Sequence, residues 1–119
     1  MARSRNPSKP LPPSEFHILL ALGEEEQHGY AIMGRVEAIT EGAVTMGPGT
    51  LYGSIKRMMA DGLIEELDER PDPELDDERR RYYRLTDLGF RVATAEAQRL
   101  EQMVRSARAK KLLPRTKAG

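Results

Sequence analysis

The chain has 119 residues, 39% hydrophobic and 32% charged, with a formal net charge of zero and no cysteine. That length fits one domain with a modest core, and the composition is globular with a helical bias. Without cysteine there is no disulfide framework and no thiolate chemistry, the longest apolar run, Ile18 to Leu22, is too short to span a bilayer, and zero net charge by itself argues against a nucleic-acid partner.

The distribution of charge says more than its sum. Residues 1–64 carry six Lys/Arg and seven Asp/Glu, residues 65–78 carry nine acids and one Arg, and residues 79–119 carry twelve Lys/Arg and three acids. Segregated blocks of this kind can leave a basic face on a neutral protein. Arg3, Arg5 and Lys9 precede no apolar run, so the N-terminus reads as no signal peptide, and a cytoplasmic location is expected.

Residues 1–13 hold four prolines and three cations. They read as a flexible basic arm, either a tail without a role or an arm that touches phosphate or a partner subunit. Ser14 to Leu22 is predicted helical. Phe16, Leu19 and Leu20 share a face with Ile18 and Leu22 adjoining, an apolar surface wide enough for burial on more than one side. His17 has no companion at metal-ligand spacing. A second helix is predicted from Tyr30 to about Thr40, with Ile32, Val36 and Ile39 inward and Met33 beside them. Gly34 in its interior costs up to about 1 kcal/mol relative to Ala, which close packing or a close partner would explain.

The third predicted helix, residues 48–61, has the most to read. Pro48 suits a first turn, where a missing N–H costs little, and Gly62 suits a left-handed C-terminal cap. Leu51, Ile55, Met58 and Met59 form one apolar stripe. The opposite face reads Gly49, Gly53, Lys56, Arg57 and Ala60, flanked by Thr50 and Tyr52. It is small, basic, hydroxyl-bearing and free of acids, which is what a helix needs to approach a DNA major groove. An ordinary amphipathic helix with two solvated cations fits this stretch alone equally well. Preceded by the second helix and a loop, it forms a helix-turn-helix variant.

Leu63 to Leu67 is predicted to be a short strand, residues 68–78 an acidic loop with two prolines, and Arg79 to Leu85 the return strand. Alternation places Arg80, Tyr82 and Arg84 on one face and Arg81, Tyr83 and Leu85 on the other, with Tyr83 and Leu85 packing on the helices. This hairpin is a wing. Thr86 is placed to cap a last helix, residues 86–113, with Asp87 near its positive end. In it Phe90, Ala93, Ala97, Leu100, Val104 and Ala107 repeat at 3, 4, 3, 4 and 3, a heptad seam. The simplest surface to cover such a seam is a second copy of the chain, the alternative being that it packs back on its own domain. The helix is expected to fray after Lys111, and Pro114 to end it before a basic tail, residues 114–119.

No catalytic or metal-binding constellation emerges. Two isolated His offer no nucleophile and base pair. Gly47-Pro48-Gly49-Thr50 lacks the Lys-Ser/Thr of a phosphate loop. Asp72, Glu74, Asp76, Asp77 and Glu78 lack the spacing and central Gly of a calcium loop. No cofactor and no enzymatic activity are expected.

The order helix, helix, helix, wing, long helix is mostly α with a small β-wing: a winged helix-turn-helix domain, residues 14–85, followed by a dimerisation helix. Its residues resemble the PadR-type transcriptional regulators. The resemblance rests on Gly29-Tyr30, Gly49-Thr50-Leu51-Tyr52, Gly62-Leu63-Ile64, and Arg81-Tyr82-Tyr83-Arg84-Leu85-Thr86 followed by Gly89, and spans about residues 11–110. It implies a homodimeric regulator, usually a repressor, that binds double-stranded DNA at an inverted repeat. It also implies the family's short form, in which the first and last helices build the dimer interface and some members bind flat hydrophobic effectors between subunits. By position, Thr50, Tyr52, Lys56 and Arg57 would face DNA, and Arg80 and Arg81 of the wing would reach phosphate or the minor groove. The chain departs from the pattern by lacking Trp, which leaves Phe16 and Phe90 as the aromatic candidates for an effector pocket. Its wing tip is also strongly acidic, so either the tip points away from DNA and only the Arg79 to Arg81 side approaches, or the wing contributes little. The charge balance and that tip leave one other reading, a winged-helix module that binds protein and not DNA.

Overall fold

The computed structural model describes residues 9–23, 25–67 and 81–114. The elements follow the order α1 (Pro13–Ala21), β1 (Gln27–His28), α2 (Gly29–Ile39), α3 (Pro48–Ala60), β2 (Ile64–Leu67), β3 (Tyr82–Leu85) and α4 (Asp87–Ala109). The sheet has the order β1-β3-β2 and is antiparallel throughout, with Ile64 opposite Leu85 and Gln27 opposite Tyr83.

The strand β1 was not visible in the sequence, because two residues carry no alternation. His28 explains how it exists. Its extended backbone ends the strand while its Nδ1 accepts from Ala31 N at 3.2 Å, which caps α2. Its ring meets Tyr82 of β3 edge-on at 5.5 Å. One residue thus ends a strand, starts a helix and pins the sheet to α2.

Three helices end in the same way. The backbone turns left-handed at Glu41, Gly62 and Lys111. Gly42 N then bonds Glu37 O, Leu63 N bonds Met58 O and Leu112 N bonds Ala107 O, which satisfies carbonyls that a helix end leaves open. At α4 this stop corrects the sequence reading: Lys111, not Pro114, turns the chain, and the helix ends at Ala109.

The core is Ile18 and Leu19 of α1, Ile32 and Val36 of α2, Leu51, Ile55 and Met58 of α3, Leu63, and Val92 of α4, none more than 2% exposed. Ile39 and Met59, expected inside, are 46% and 38% exposed. Ile39 is the last residue of α2 and Met59 lies at one margin of the α3 stripe, whereas Ser54 at the other margin is fully buried. The predicted arm is also shorter than expected. Leu11 is 5% exposed, and its N–H donates to Glu96 Oε1 of α4 at 3.3 Å. Glu96 is itself buried and is held by both Nε and Nη2 of Arg99, a pairing that raises the Arg99 guanidinium above its ordinary range. The remainder of the arm, residues 1–8, lies outside the described residues.

Two glycines have opposite environments. A Cβ at Gly89 would collide with the Leu63 carbonyl, 2.9 Å from its carbon, whereas a Cβ at Gly34 would meet nothing within 4 Å. Packing within the chain therefore does not require Gly34. Gly34→Ala is expected to raise unfolding stability by about 0.5–1 kcal/mol. Gly89→Ala is expected to lower it by on the order of 3 kcal/mol, because the obstacle is backbone. Urea midpoints of the two variants against the parent check both signs.

Candidate nucleic-acid interface

The helix α3 is amphipathic in a way that sets two flanks as well as two faces. Leu51, Ser54, Ile55 and Met58 are buried. Gly49, Thr50, Lys56, Arg57 and Ala60 are exposed and Gly53 is half-exposed, so the small, cation-bearing strip is on the outside. No acid is present on α3, and Asp61, its C-terminal neighbour, is 4% exposed. Pro48 occupies the first turn and Leu51 N bonds Gly47 O at 3.0 Å, which starts the helix without a side-chain cap.

Tyr52 is the correction on this face. Its residue position is on the flank, and its ring turns inward toward α2. The hydroxyl is buried, and a Cβ at Gly29 would overlap it and lie 3.0 Å from Cζ. Tyr52 is thus a packing residue whose ring fills the space that a glycine leaves, not an outward hydroxyl. The sequence blocks Gly29-Tyr30 and Gly49-Thr50-Leu51-Tyr52 meet at this contact, and one requires the other.

On the opposite flank, Arg57 reaches back to α1. Its Nη2 donates to Ser54 Oγ at 3.1 Å, and its Nε lies 3.7 Å from Glu15 Oε2. The Glu15 side chain is 5% exposed while that of Arg57 is 53% exposed. Glu15 and Ser54 were not singled out in the sequence. A signal existed for Ser54, which falls within the Leu51, Ile55, Met58 stripe. Glu15 had none, because an acid in a first helical turn is ordinarily favourable where it stands.

The wing arginines are paired across the strands. Arg81 Nη1 lies 3.3 Å from Glu66 Oε1, and Arg84 Nε lies 2.6 Å from Glu65 Oε1. Tyr83 between them is 4% exposed and faces the helices, as its alternation requires. Arg80 and the acidic tip lie outside the described residues.

On α4 the residues of the predicted seam are mostly uncovered. Phe90 is 60% exposed and Val104 37%, Ala97 is exposed, and Ala93, Leu100 and Ala107 are half-buried. Only Gly89, Val92 and Glu96 of this helix are buried. In α1, Leu20 is 42% exposed and Phe16 packs partly against the core. Among the described residues no group of His, Asp and Glu is arranged to hold a metal ion, and no helix is long and apolar enough to cross a membrane.

Three helices, a helix-turn-helix with a cation-bearing outer face and a hairpin flanking it define a winged helix-turn-helix domain. Residues 18–95 match the model of the transcriptional regulator PadR-like family, and the chain belongs to that family. It is 32% identical over 90 residues to the transcriptional regulator Rv3488 of Mycobacterium tuberculosis, a match covering 76% of this chain and 78% of that protein. It is 31% identical over 90 residues to an uncharacterized 37.1 kDa protein of a Streptomyces fradiae transposon, of whose length it spans 24%. In fold it is similar to the crystal structure of a PadR family transcription regulator from Clostridium difficile, with a TM-score of 0.66 at 22% identity over 82% of this chain and 97% of that one.

The contact between Gly29 and Tyr52 makes a specific prediction. Gly29→Ala should destabilise the fold by roughly 1–3 kcal/mol through overpacking. Truncating the ring in the same chain, Gly29→Ala with Tyr52→Leu, should cost less than the sum of the two single changes, since they share one contact. Thermal melts of the four proteins measure the difference.

Proposed function

We propose that this chain is a sequence-specific DNA-binding transcriptional regulator that works as a homodimer, represses transcription from an inverted-repeat operator, and is released by a small hydrophobic effector. The observation that carries the reading is the outer face of α3. Thr50, Gly53, Lys56 and Arg57 form an acid-free strip on a helix whose other three sides are fixed by packing. Small residues permit close approach to the groove, Lys56 and Arg57 suit phosphates and guanine edges, and Thr50 offers a hydroxyl and a methyl group to base edges. The exposed seam of α4 supports the dimer: a 23-residue helix about 35 Å long buries three residues in its own domain. A two-fold pairing through Phe90, Ala93, Ala97, Leu100, Val104 and Ala107, with Phe16 and Leu20 of α1, would set two α3 helices about one turn of DNA apart.

The wing contributes less to this reading than the sequence led one to expect. Among the described residues its two arginines, Arg81 and Arg84, are paired to Glu66 and Glu65. The same pairing favours the second reading, a winged-helix module that binds protein and not DNA.

Fluorescence anisotropy on duplexes enriched by the protein from a random-sequence pool separates the two. The parent should bind specifically, with affinity that falls steeply as salt rises. Lys56→Ala should weaken binding on all duplexes and reduce the salt slope by about one. An enriched pool without sequence preference, or binding indifferent to salt, would point to the protein-binding module. In sedimentation, Val104→Asp should convert a dimer to a monomer, and the monomer should lose specific DNA affinity. A panel of hydrophobic cations and phenolic acids that leaves both the melting temperature and the operator affinity unchanged would remove the effector.

A further inference from the structure

We propose that Glu15, a buried carboxylate of α1, is a positioning residue for Arg57. It acts by holding one edge of the Arg57 guanidinium so that the other edge is presented at the outer face of α3. This rests on the reading of α3 as the DNA-contacting helix.

The geometry has three parts. First, the protein side of the guanidinium is engaged twice, by Ser54 Oγ on Nη2 at 3.1 Å and by Glu15 Oε2 near Nε at 3.7 Å. Second, both anchors are interior, with Ser54 fully buried and the Glu15 side chain 5% exposed, so neither moves as an exposed side chain does. Third, Nη1 is next to Gly53, where a Cβ would lie 3.7 Å from it and where none exists. The bare backbone of Gly53 leaves room for that nitrogen, and the Arg57 side chain as a whole is 53% exposed.

The chemistry of the pair explains why α1 carries an acid at a buried position. A carboxylate in the interior is costly unless it is paired. Glu15 Oε1 is buried and accepts no hydrogen bond among the described residues, which makes Arg57 its one compensating cation there. A free Arg loses rotamer freedom when it binds a phosphate or a base edge, and an Arg already held loses less. Arg is needed for this arrangement, because its planar fork can be held on one edge while donating from the other and a lysine ammonium cannot. The pair also ties α1 to the reading helix, so the orientation of the dimer-side helix and that of a groove contact are set together.

A double-mutant cycle on the enriched duplex tests the assignment, using Glu15→Gln, Arg57→Ala and the pair. Glu15→Gln keeps the size of the side chain and the charge of Arg57. It should weaken specific binding about tenfold with the salt slope unchanged. Arg57→Ala should weaken binding at least as much and lower the slope by about one. Adding Glu15→Gln to Arg57→Ala should cause no further loss. Ser54→Ala, a change of one atom in a buried site, removes the second anchor and should reproduce the effect of Glu15→Gln if that variant folds poorly. Additive losses would overturn the proposal, since Glu15 would then act on the fold and not through Arg57. Parent-like binding by Glu15→Gln and Ser54→Ala would overturn it as well. If Arg57→Ala alone binds like the parent, Arg57 is no contact and the positioning role falls with it, while Lys56→Ala still reports on the α3 reading. A parent chain that binds no DNA overturns that reading itself.

Discussion

The structure depends on one backbone junction, where the end of α3, the start of β2, the end of β3 and the start of α4 converge within a few ångströms. Gly62 turns left-handed, with φ of 78°, and directs Leu63 back under the helix. The Leu63 carbonyl accepts from Thr86 N at 3.1 Å, and the Gly62 carbonyl accepts from Thr86 Oγ1 at 2.6 Å. The same hydroxyl oxygen accepts from Gly89 N at 3.0 Å and so caps α4. The lack of a Cβ at Gly89 lets α4 settle directly on the Leu63 carbonyl. Every contact here involves main chain or a one-rotor side chain, so it has little freedom to relax. The angle between α3, the wing and α4 follows from it.

Two lateral contacts complete the support of α3. Tyr52 fills the space beside Gly29 on the α2 side, and Arg57 meets Glu15 on the α1 side. The first is steric and insensitive to charge, the second ionic and dependent on burial. Together with the apolar stripe beneath, they leave only the outer strip free. A helix held on three sides enters a binding event with less order still to be imposed, which is the physical content of preorganisation.

The helix α4 divides its length between two tasks. Its first three turns carry Gly89, Val92 and Glu96 into the body of the domain, and Glu96 reaches across to fix Leu11. Farther along, Met103 and Val104 are 55% and 37% exposed, with Phe90 60% exposed on the same side as the seam. Charged residues at 99, 101, 105 and 108 keep the rest of this segment polar, with Arg105 and Glu101 paired one turn apart. Apolar burial of about 25 cal/mol per Å2 is forgone along this seam in a single chain, and that gives a second copy something to gain.

Much of this was legible in the sequence. Periodicity located four helices, alternation located the wing and put Tyr83 inside, and the dipeptide and tetrapeptide blocks pointed to the family. Such features are local: a period, a cap at Thr86 or a left-handed glycine at Gly62 is decided by a residue and its near neighbours. What was not legible joins residues far apart in the chain. Nothing near Gln27 and His28 announces a strand, which exists only because Tyr82 and Tyr83 lie alongside. Tyr52 reads as a surface hydroxyl until Gly29 is placed against it, Leu11 as part of a tail until Glu96 captures its N–H, and Arg57 as a free cation until Glu15 comes within 3.7 Å. The sequence by itself determined which segments form helices and the apolar stripe along each, because these follow from short-range sterics and hydrogen bonding. Only the tertiary structure decided which polar side chains face inward and whom they meet, because burial and partner distance are properties of residues brought together by folding.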